Sequence, residues 1–541
     1  MSAAAVTVPV AIVGAGPVGL TLANLLGTYG VETVLLERNP ATVEEPRAIA
    51  IDAESLRTMQ AIDRYADLAP DLLLGFSVDY VNGRGTRLFG VDLGPTPYGH
   101  AQQNSFDQPW LERILADGLP RFPHVAARFG HLVEAVEAGD DAVLVRGRRA
   151  DGAAFSVMAR YVAACDGGRS PIRQALGIAM RGRTAPQRWL VIDTVDPYLA
   201  EALPCRFFCD PRRPGMTLRK QRQKRRWEWM LMDGEAEADL LDDAMIQRLL
   251  APYTRPAQVR IERKCVYTFH SLVADRYRAG RVLLAGDAAH MMPPFAGQGM
   301  NGGVRDAANL AWKLALVTRG RAGVALLDSY ERERRTHVIA ATALANQLGD
   351  LIQPTRRLRA ALRDAFFFAV RHTPGGQRFL DRQLMGTLRA PRLRGGVFVP
   401  SRGASPAAAG LGGQMIVQPD VRGADGAVLP FDAALGAWFA VVGYDADPAQ
   451  ALDAAARQAW QSLGARFVHV VPRGAAAVGA AVEDASGALG AWFDAGRDRF
   501  VAVRPDRFCA AAFSAAAAGA AASEFTALLR GHAVEGSLAC A

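Results

Sequence analysis

Cysteine is scarce in this chain, with six in 541 residues and no CxxC pair among them. Thiols scattered at Cys165, Cys205, Cys209, Cys265, Cys509 and Cys540 build neither a disulfide framework nor a structural zinc site, so no metal is expected and a reducing cytoplasm is the expected setting. Long apolar runs are missing as well. The blandest stretch, residues 510–522, is mostly alanine rather than the roughly twenty large apolar residues of a bilayer span, and no signal peptide is expected ahead of the first strand. Aromatic residues make up 8% of the chain and are absent from its densest run of cations, RKQRQKRR at residues 219–226. The formal charge of +8 and pI near 9.3 therefore come without the stacking platform of a single-stranded nucleic-acid site. No nucleic-acid partner is expected; the cluster reads as a solvated hairpin, and the basic surface as one that draws in small carboxylates.

What is present is a glycine turn in a telling place. Residues 10–37, VAIVGAGPVGLTLANLLGTYGVETVLLE, run from an apolar strand through a turn and a helix to a second strand that ends on an acid. This is the pattern of a dinucleotide clamp. Gly14 allows the tight turn, Gly16 lets the backbone approach a pyrophosphate, Gly19 lets the helix lie close to the strand, and Glu37 is placed to accept from a ribose. Free N–H groups at the helix start would hold the phosphates. This motif alone does not choose between NAD and FAD.

Two downstream elements make that choice. Residues 281–313 read RVLLAGDAAHMMPPFAGQGMNGGVRDAANLAWK, and Cys165-Asp166-Gly167-Gly168-Arg169-Ser170 is followed by Arg173. GDAAH with PPFAGQGMN resembles the second FAD motif of the single-component FAD-dependent aromatic hydroxylases, the family of p-hydroxybenzoate hydroxylase and phenol hydroxylase, and the Asp166-Gly167 element resembles that family's DG motif. PRAIAID at residues 46–52 and CDPRRP at 209–214 are similar to its hydroxyphenylpropionate hydroxylase branch. The resemblance spans residues 8–395. It implies FAD as cofactor, NADH or NADPH as reductant, and dioxygen delivered through a flavin hydroperoxide to a small phenolic substrate such as a hydroxyphenylpropionate-like acid. No second GxGxxG unit for the nicotinamide is present, which suits a family whose reductant binds transiently.

The expected fold is α/β: a Rossmann-like FAD-binding domain, an inserted antiparallel-sheet substrate domain, and a thioredoxin-like C-terminal domain. The pattern places the first part of the FAD domain at residues 1–180 and the substrate sheet at 181–275, where short runs alternate apolar and polar residues. The FAD domain and a helical region then occupy 276–396, and the tail 397–541. Without CxxC the tail is expected to serve packing or assembly, and a homo-oligomer is left open.

By the same resemblance, Gly286 brings the chain close to the ribityl group and Asp287 accepts its hydroxyls, with Asp166 in a similar role. Arg47 lies near the phosphates or ribityl chain, where a fork of donors suits better than a point charge, and Gln108 touches the cofactor. Pro293, Pro294, Gly297, Gln298, Gly299, Met300 and Asn301 form a loop opening a helix whose N–H groups face the flavin, and the Pro294 carbonyl lies near the substrate hydroxyl. His290 reads as structural. Trp227, Trp229, Tyr267 and His270 are candidate pocket walls, and Tyr267 and His270 join Pro294 as candidate catalytic residues.

Two other readings stand beside this one: a tailoring oxygenase or halogenase acting on a larger, polyketide-like aromatic, and a nucleotide-binding protein without turnover. Trp227-Glu228-Trp229-Met230 resembles the halogenase WxWxI signature but departs from it after the second Trp, and no catalytic lysine is identifiable.

Overall fold

The computed structural model describes residues 6–196, 205–376, 378, 392–399, 410–494 and 499–531. Its first sheet grows from the most apolar strand of the N-terminal region, Val6–Val13, which is flanked in parallel by Ala154–Ala164 and Thr33–Leu36. Val282–Leu284 extends the sheet on one side and Val125–Arg128 on the other, again in parallel. Strands buried on both faces read as continuous Val, Ile, Leu and Ala runs, as these do. The register matters more than the count. Val13 pairs with both Leu36 and Ala164, and Ala164 with Leu284, so four neighbouring strands stop at one level. The residues that follow them, Gly14, Glu37, Cys165 and Ala285, therefore share one edge of the sheet, the carboxyl edge where α/β folds bind ligands. The helix Pro17–Thr28 and the longer Gly299–Thr318 pack against each other over this sheet.

The second sheet has eight strands and is mostly antiparallel. Met180–Val195 and Arg260–Ala274 form its long central pair, and Lys224–Met230, Gly215–Arg219 and Cys205–Cys209 follow outward. The sheet does not stay within residues 181–275. Ser77–Asn82 and Arg87–Asp92, a hairpin from the N-terminal region, complete one edge, with Ser77–Asn82 parallel to Cys205–Cys209. The hairpin's inward residues Val78, Tyr80, Phe89 and Val91 are all buried and find their apolar partners there.

The third unit is a mixed seven-stranded sheet. Ala440–Tyr444 pairs in parallel with Arg466–Val471 and antiparallel with Phe500–Val503, and the helices Ala454–Ser462 and Ala518–Arg530 pack alongside each other: the thioredoxin-like arrangement expected of the tail. It is fused into the main core rather than tethered to it, since Phe439, Trp460, Phe513 and Phe525 belong to the same apolar cluster as Trp312 of the FAD domain. Buried ion pairs add to this junction: Arg57 with Asp432, and Arg504 with Glu333. Among the described residues no helix is long and apolar enough to cross a membrane.

Candidate active site

One cavity of about 500 Å³ runs from the carboxyl edge of the parallel sheet to the inner face of the antiparallel one. Gly14, Gly16, Glu37, Arg47, Gln108, Asp166, Asp287, Pro294, Gly297, Gly299 and Met300 all line it, although they lie up to 286 positions apart in sequence (300 minus 14).

The nucleotide end is built for close backbone approach. Gly14 has φ +103°, and a Cβ there would lie 2.3 Å from the Cys165 carbonyl oxygen. Above Gly16 there is open space, and the helix Pro17–Thr28 starts from it with no side-chain cap, which leaves N–H donors for an anion. Gly19 does not line the cavity. A Cβ on it would strike the Gly14 carbonyl oxygen, so it sets helix-to-turn packing. Glu37 accepts from the amides of Ala15 at 2.8 Å and Asn39 at 2.9 Å, and keeps lone pairs for a ribose.

Two carboxylates further in wait for donors. Asp166 Oδ2 accepts from the Ile172 amide at 3.3 Å, whereas its buried Oδ1 has no hydrogen-bond partner among the described residues. Burial raises its pKa, with Ser170 and backbone amides pulling the other way. Asp287 lines the cavity with its side chain open to solvent, while the protein packed around it raises its pKa too, opposed by His290 and Arg47. Unmatched acceptors in a cleft with a glycine cradle fit the ribose and ribityl hydroxyls of FAD.

The turn that carries Asp287 is held from behind. Gly286, at φ +61°, lies against Val18, and its amide donates to Asp306 Oδ2 at 3.0 Å. The same oxygen meets His290 Nε2 at 2.6 Å, while Asp306 Oδ1 accepts from Arg334 Nε at 2.8 Å. His290 is thus a structural residue with a fixed partner. Asn301 is also outside the lining: it donates to the carbonyls of Ala50 and Gly297 and accepts from the Asp52 amide, tying the loop after Pro294 to residues 50–52. Pro293 precedes that loop without facing the cavity. Gln108 lines the cavity, with its carbonyl receiving the Ala48 amide and its Nε2 donating to Glu112 at 2.7 Å.

The sheet end is apolar, with Val78, Phe207, Met216, Leu218, Phe295 and Leu348 among its walls. Tyr267 and His270 are not part of this lining. They are three residues apart on one strand, and alternation sends them to different faces. The Tyr267 hydroxyl meets Arg263 at the margin of the sheet, and His270 Nδ1 contacts the Thr184 hydroxyl at 3.0 Å. Trp227 and Trp229 stack at 5.6 Å on the far face, in a cluster with Leu190 and Ile192. The residues between and before them, Glu228 and Arg226, point into the cavity instead.

The basic run at 219–226 forms a hairpin, as expected, with Arg222 and Gln223 exposed at its turn, but its strand ends are not solvated. Lys220, Arg225 and Arg226 are buried because Lys224–Met230 is an interior strand, and the chain supplies acids to match. Lys220 and Lys224 each reach Asp107 at 3.0 Å, and Arg226 forks onto Asp193 at 2.9 and 2.7 Å. Arg226 also donates to the carbonyls of Pro46 and Arg47, and so fastens the substrate sheet to the PRAIAID loop. Sequence reading passed over Arg226 and Glu228. The signal was there, because two Trp residues spaced by two share a face and commit the acid between them to the other.

Comparison with known proteins gives this geometry a family. The FAD binding domain family model matches residues 7–345, and the HcaD C-terminal domain model matches 413–528. A 3-(3-hydroxyphenyl)propionate/3-hydroxycinnamic acid hydroxylase from Burkholderia vietnamiensis is 42% identical over 514 residues, 93% of this chain and 93% of its own. Its counterpart from Klebsiella pneumoniae is 38% identical over 93% of this chain and 92% of its own. Among solved structures, p-nitrophenol 4-monooxygenase from Pseudomonas putida superposes with a TM-score of 0.65 at 26% identity, covering 71% of this chain and 99% of that one. The flavin-dependent monooxygenase PieE, solved with FAD and substrate, has a TM-score of 0.78 at 22% identity over 97% of this chain and 99% of its own, and shows the shared fold. With a cofactor-shaped cleft, a matching family model and relatives of this identity along nearly its whole length, the chain belongs to the FAD-dependent aromatic hydroxylases.

Proposed function

We propose that this enzyme hydroxylates a monocyclic phenolic acid of the 3-(3-hydroxyphenyl)propionate or 3-hydroxycinnamate kind. The observation that carries the reading is the single cavity, in which flavin-holding groups at one end face an apolar sheet wall at the other. The relatives at 38 to 42% identity are named for such substrates. Bound FAD would supply the redox chemistry, hydride acceptance from NADH or NADPH and activation of dioxygen for insertion into a phenolic ring.

The chain's own residues do the rest. Gly14, Gly16, Asp166 and Asp287 would hold the dinucleotide, and the N-terminus of Gly299–Thr318, without a side-chain cap, meets the cavity at Gly299 and Met300. Phe207, Met216, Leu218 and Phe295 enclose an aromatic ring and exclude water from the reacting atoms. Pro294 lines the same cavity, its carbonyl accepting from the Gly297 amide at 2.8 Å and so holding the loop in shape.

The test is a purified yellow protein incubated with NADH or NADPH and a panel of hydroxylated phenylpropionates and cinnamates. The expected result is reductant oxidation that rises when a 3-hydroxylated acid is added, with a product heavier by one oxygen. Oxidation that no phenolic acid stimulates, or stimulation by polycyclic phenols alone, rejects this substrate class. A protein that takes up no flavin rejects the enzyme reading altogether.

A further inference from the structure

The cavity wall formed by the antiparallel sheet can be read as two cross-strand rows. One runs Arg226, Leu218, with Cys205, Val78 and Val91 beyond; the other runs Glu228, Met216, Phe207 and Tyr80. Apart from the Tyr80 hydroxyl and the Cys205 thiol, the polar groups on these rows are Arg226 and Glu228. Their situations differ. Arg226 spends four of its five N–H donors, on both oxygens of Asp193 and on the carbonyls of Pro46 and Arg47. The Glu228 carboxyl makes no hydrogen bond with any described residue, although the residue is only 6% exposed, and its nearest cation is Arg226 Nη1 at 4.0 Å.

A carboxyl group held in an apolar wall without a donor is costly, and such a position is relieved by a ligand that brings the donor. The ligand's own chemistry decides which end that is. The carboxylate of a phenolic acid would be repelled by Glu228, whereas a phenolic hydroxyl supplies the hydrogen bond it lacks. We infer that Glu228 is the specificity-determining residue for the substrate hydroxyl, accepting its hydrogen bond and so selecting hydroxylated rings over bare ones. This rests on the substrate class proposed above. Burial pushes the Glu228 carboxyl up to about 7, with Arg226 lowering and Asp193 raising it. At neutral pH both protonation states are therefore populated, and the ionised one accepts. A proton passing from the phenol leaves its electron pair on the phenolic oxygen, which enriches the ring, and the carboxylate oxygen receives the proton.

The experiment is equilibrium binding to the FAD-loaded protein, read by perturbation of the flavin spectrum. The ligands are 3-(3-hydroxyphenyl)propionate and 3-phenylpropionate, and the proteins are wild type, Glu228→Gln and Glu228→Leu. Wild type is expected to prefer the hydroxylated acid by about tenfold or more, the range for a hydrogen bond to a charged group. Glu228→Leu should bind the two ligands within about threefold of one another and hold 3-phenylpropionate at least as well as wild type does, while Glu228→Gln, which keeps only a neutral acceptor, should show a preference about threefold or more below that of wild type. Glu228→Gln is nearly isosteric and covers the case in which the leucine variant does not fold. A wild-type preference that survives in both variants overturns the assignment of Glu228, as does a wild type that binds both acids equally. A wild type that binds neither acid overturns the substrate class itself, and Glu228's role falls with it.

Discussion

Arg504 of the C-terminal domain forks onto Glu333 of the helix Asp328–Ile352 through hydrogen bonds of 2.9 and 2.8 Å, and both side chains are wholly buried. Lys313 adds a further bond to Glu333 at 2.9 Å. Burial opposes the charge on Glu333, but Arg504 and Lys313 outweigh it and hold the carboxyl well below the usual carboxylate range. The stability this contributes is present above the unfolded pKa and is lost only as pH falls towards the folded one. Removing one partner of such a pair leaves a buried charge uncompensated, at a cost of about 3–5 kcal/mol. Arg504→Leu is therefore expected to lower the melting temperature markedly at pH 7. Truncation at residue 397 should yield a chain that does not stay folded, because Glu333 and Lys313 would lose their cover together. A truncated chain that binds FAD normally and melts like the full protein would show the junction to be dispensable.

Asp287→Ala is expected to purify folded but with little FAD. The Asp287 carboxylate lines the cavity with no hydrogen-bond partner among the described residues, so its loss is expected to remove a charge-assisted bond to the cofactor worth about 1.5–3 kcal/mol, or roughly ten- to a hundredfold in Kd. Flavin absorbance per chain and a titration of the apoprotein with FAD measure it. Occupancy and affinity equal to wild type would remove Asp287 from the cofactor site.

Glu112 offers a pH test. Burial pushes its carboxyl up to about 7, against the pull of Gln108 and of Arg47. A raised acid binds more protons folded than unfolded, so its contribution to stability falls as pH rises from the ordinary carboxylate range to about 7, and is flat above that. Glu112→Gln keeps an acceptor for Gln108 and removes the charge. It should stabilise the protein by about 1–3 kcal/mol at pH 8 and have little effect at pH 4. Equal melting temperatures of variant and wild type at both pH values would contradict the shift.

The contrast between Asp287 and Tyr267 shows what sequence can carry. Gly14, Gly16, Glu37 and Asp287 sit in short motifs in which glycine, apolar run and acid are within a few residues of each other, so local chemistry alone indicates a nucleotide. Tyr267 and His270 were placed on a strand whose facing depends on which neighbours it pairs with, and that is settled by register across 80 residues of chain (Trp189 against Tyr267 is a separation of 78). The hairpin at 77–92 belongs to the second sheet for the same reason: its parallel partner, Cys205–Cys209, lies beyond 100 residues of other structure. Charge misled in a similar way. A run of six cations at 219–226 looks solvated throughout until Asp107 and Asp193 are seen to pair with three of them, Lys220, Lys224 and Arg226.

The last prediction separates Tyr267 from Arg226, which lie on two strands of one sheet with Met180–Val195 between them. Tyr267 meets Arg263 outside the cavity, so Tyr267→Phe should leave hydroxylated product per NADH oxidised unchanged. Arg226 lies on the cavity wall and grips the carbonyls of Pro46 and Arg47, which fixes the distance between the substrate wall and the flavin loop. A lysine in its place cannot fork onto Asp193 and still reach two carbonyls. Arg226→Lys should therefore loosen the loop, and since small misplacements of reacting groups cost large factors in rate, more of the oxygen consumed should appear as hydrogen peroxide. Product and peroxide scored together for both variants decide the matter. Uncoupling by Tyr267→Phe with full coupling in Arg226→Lys would reverse the assignment and return Tyr267 to the substrate pocket.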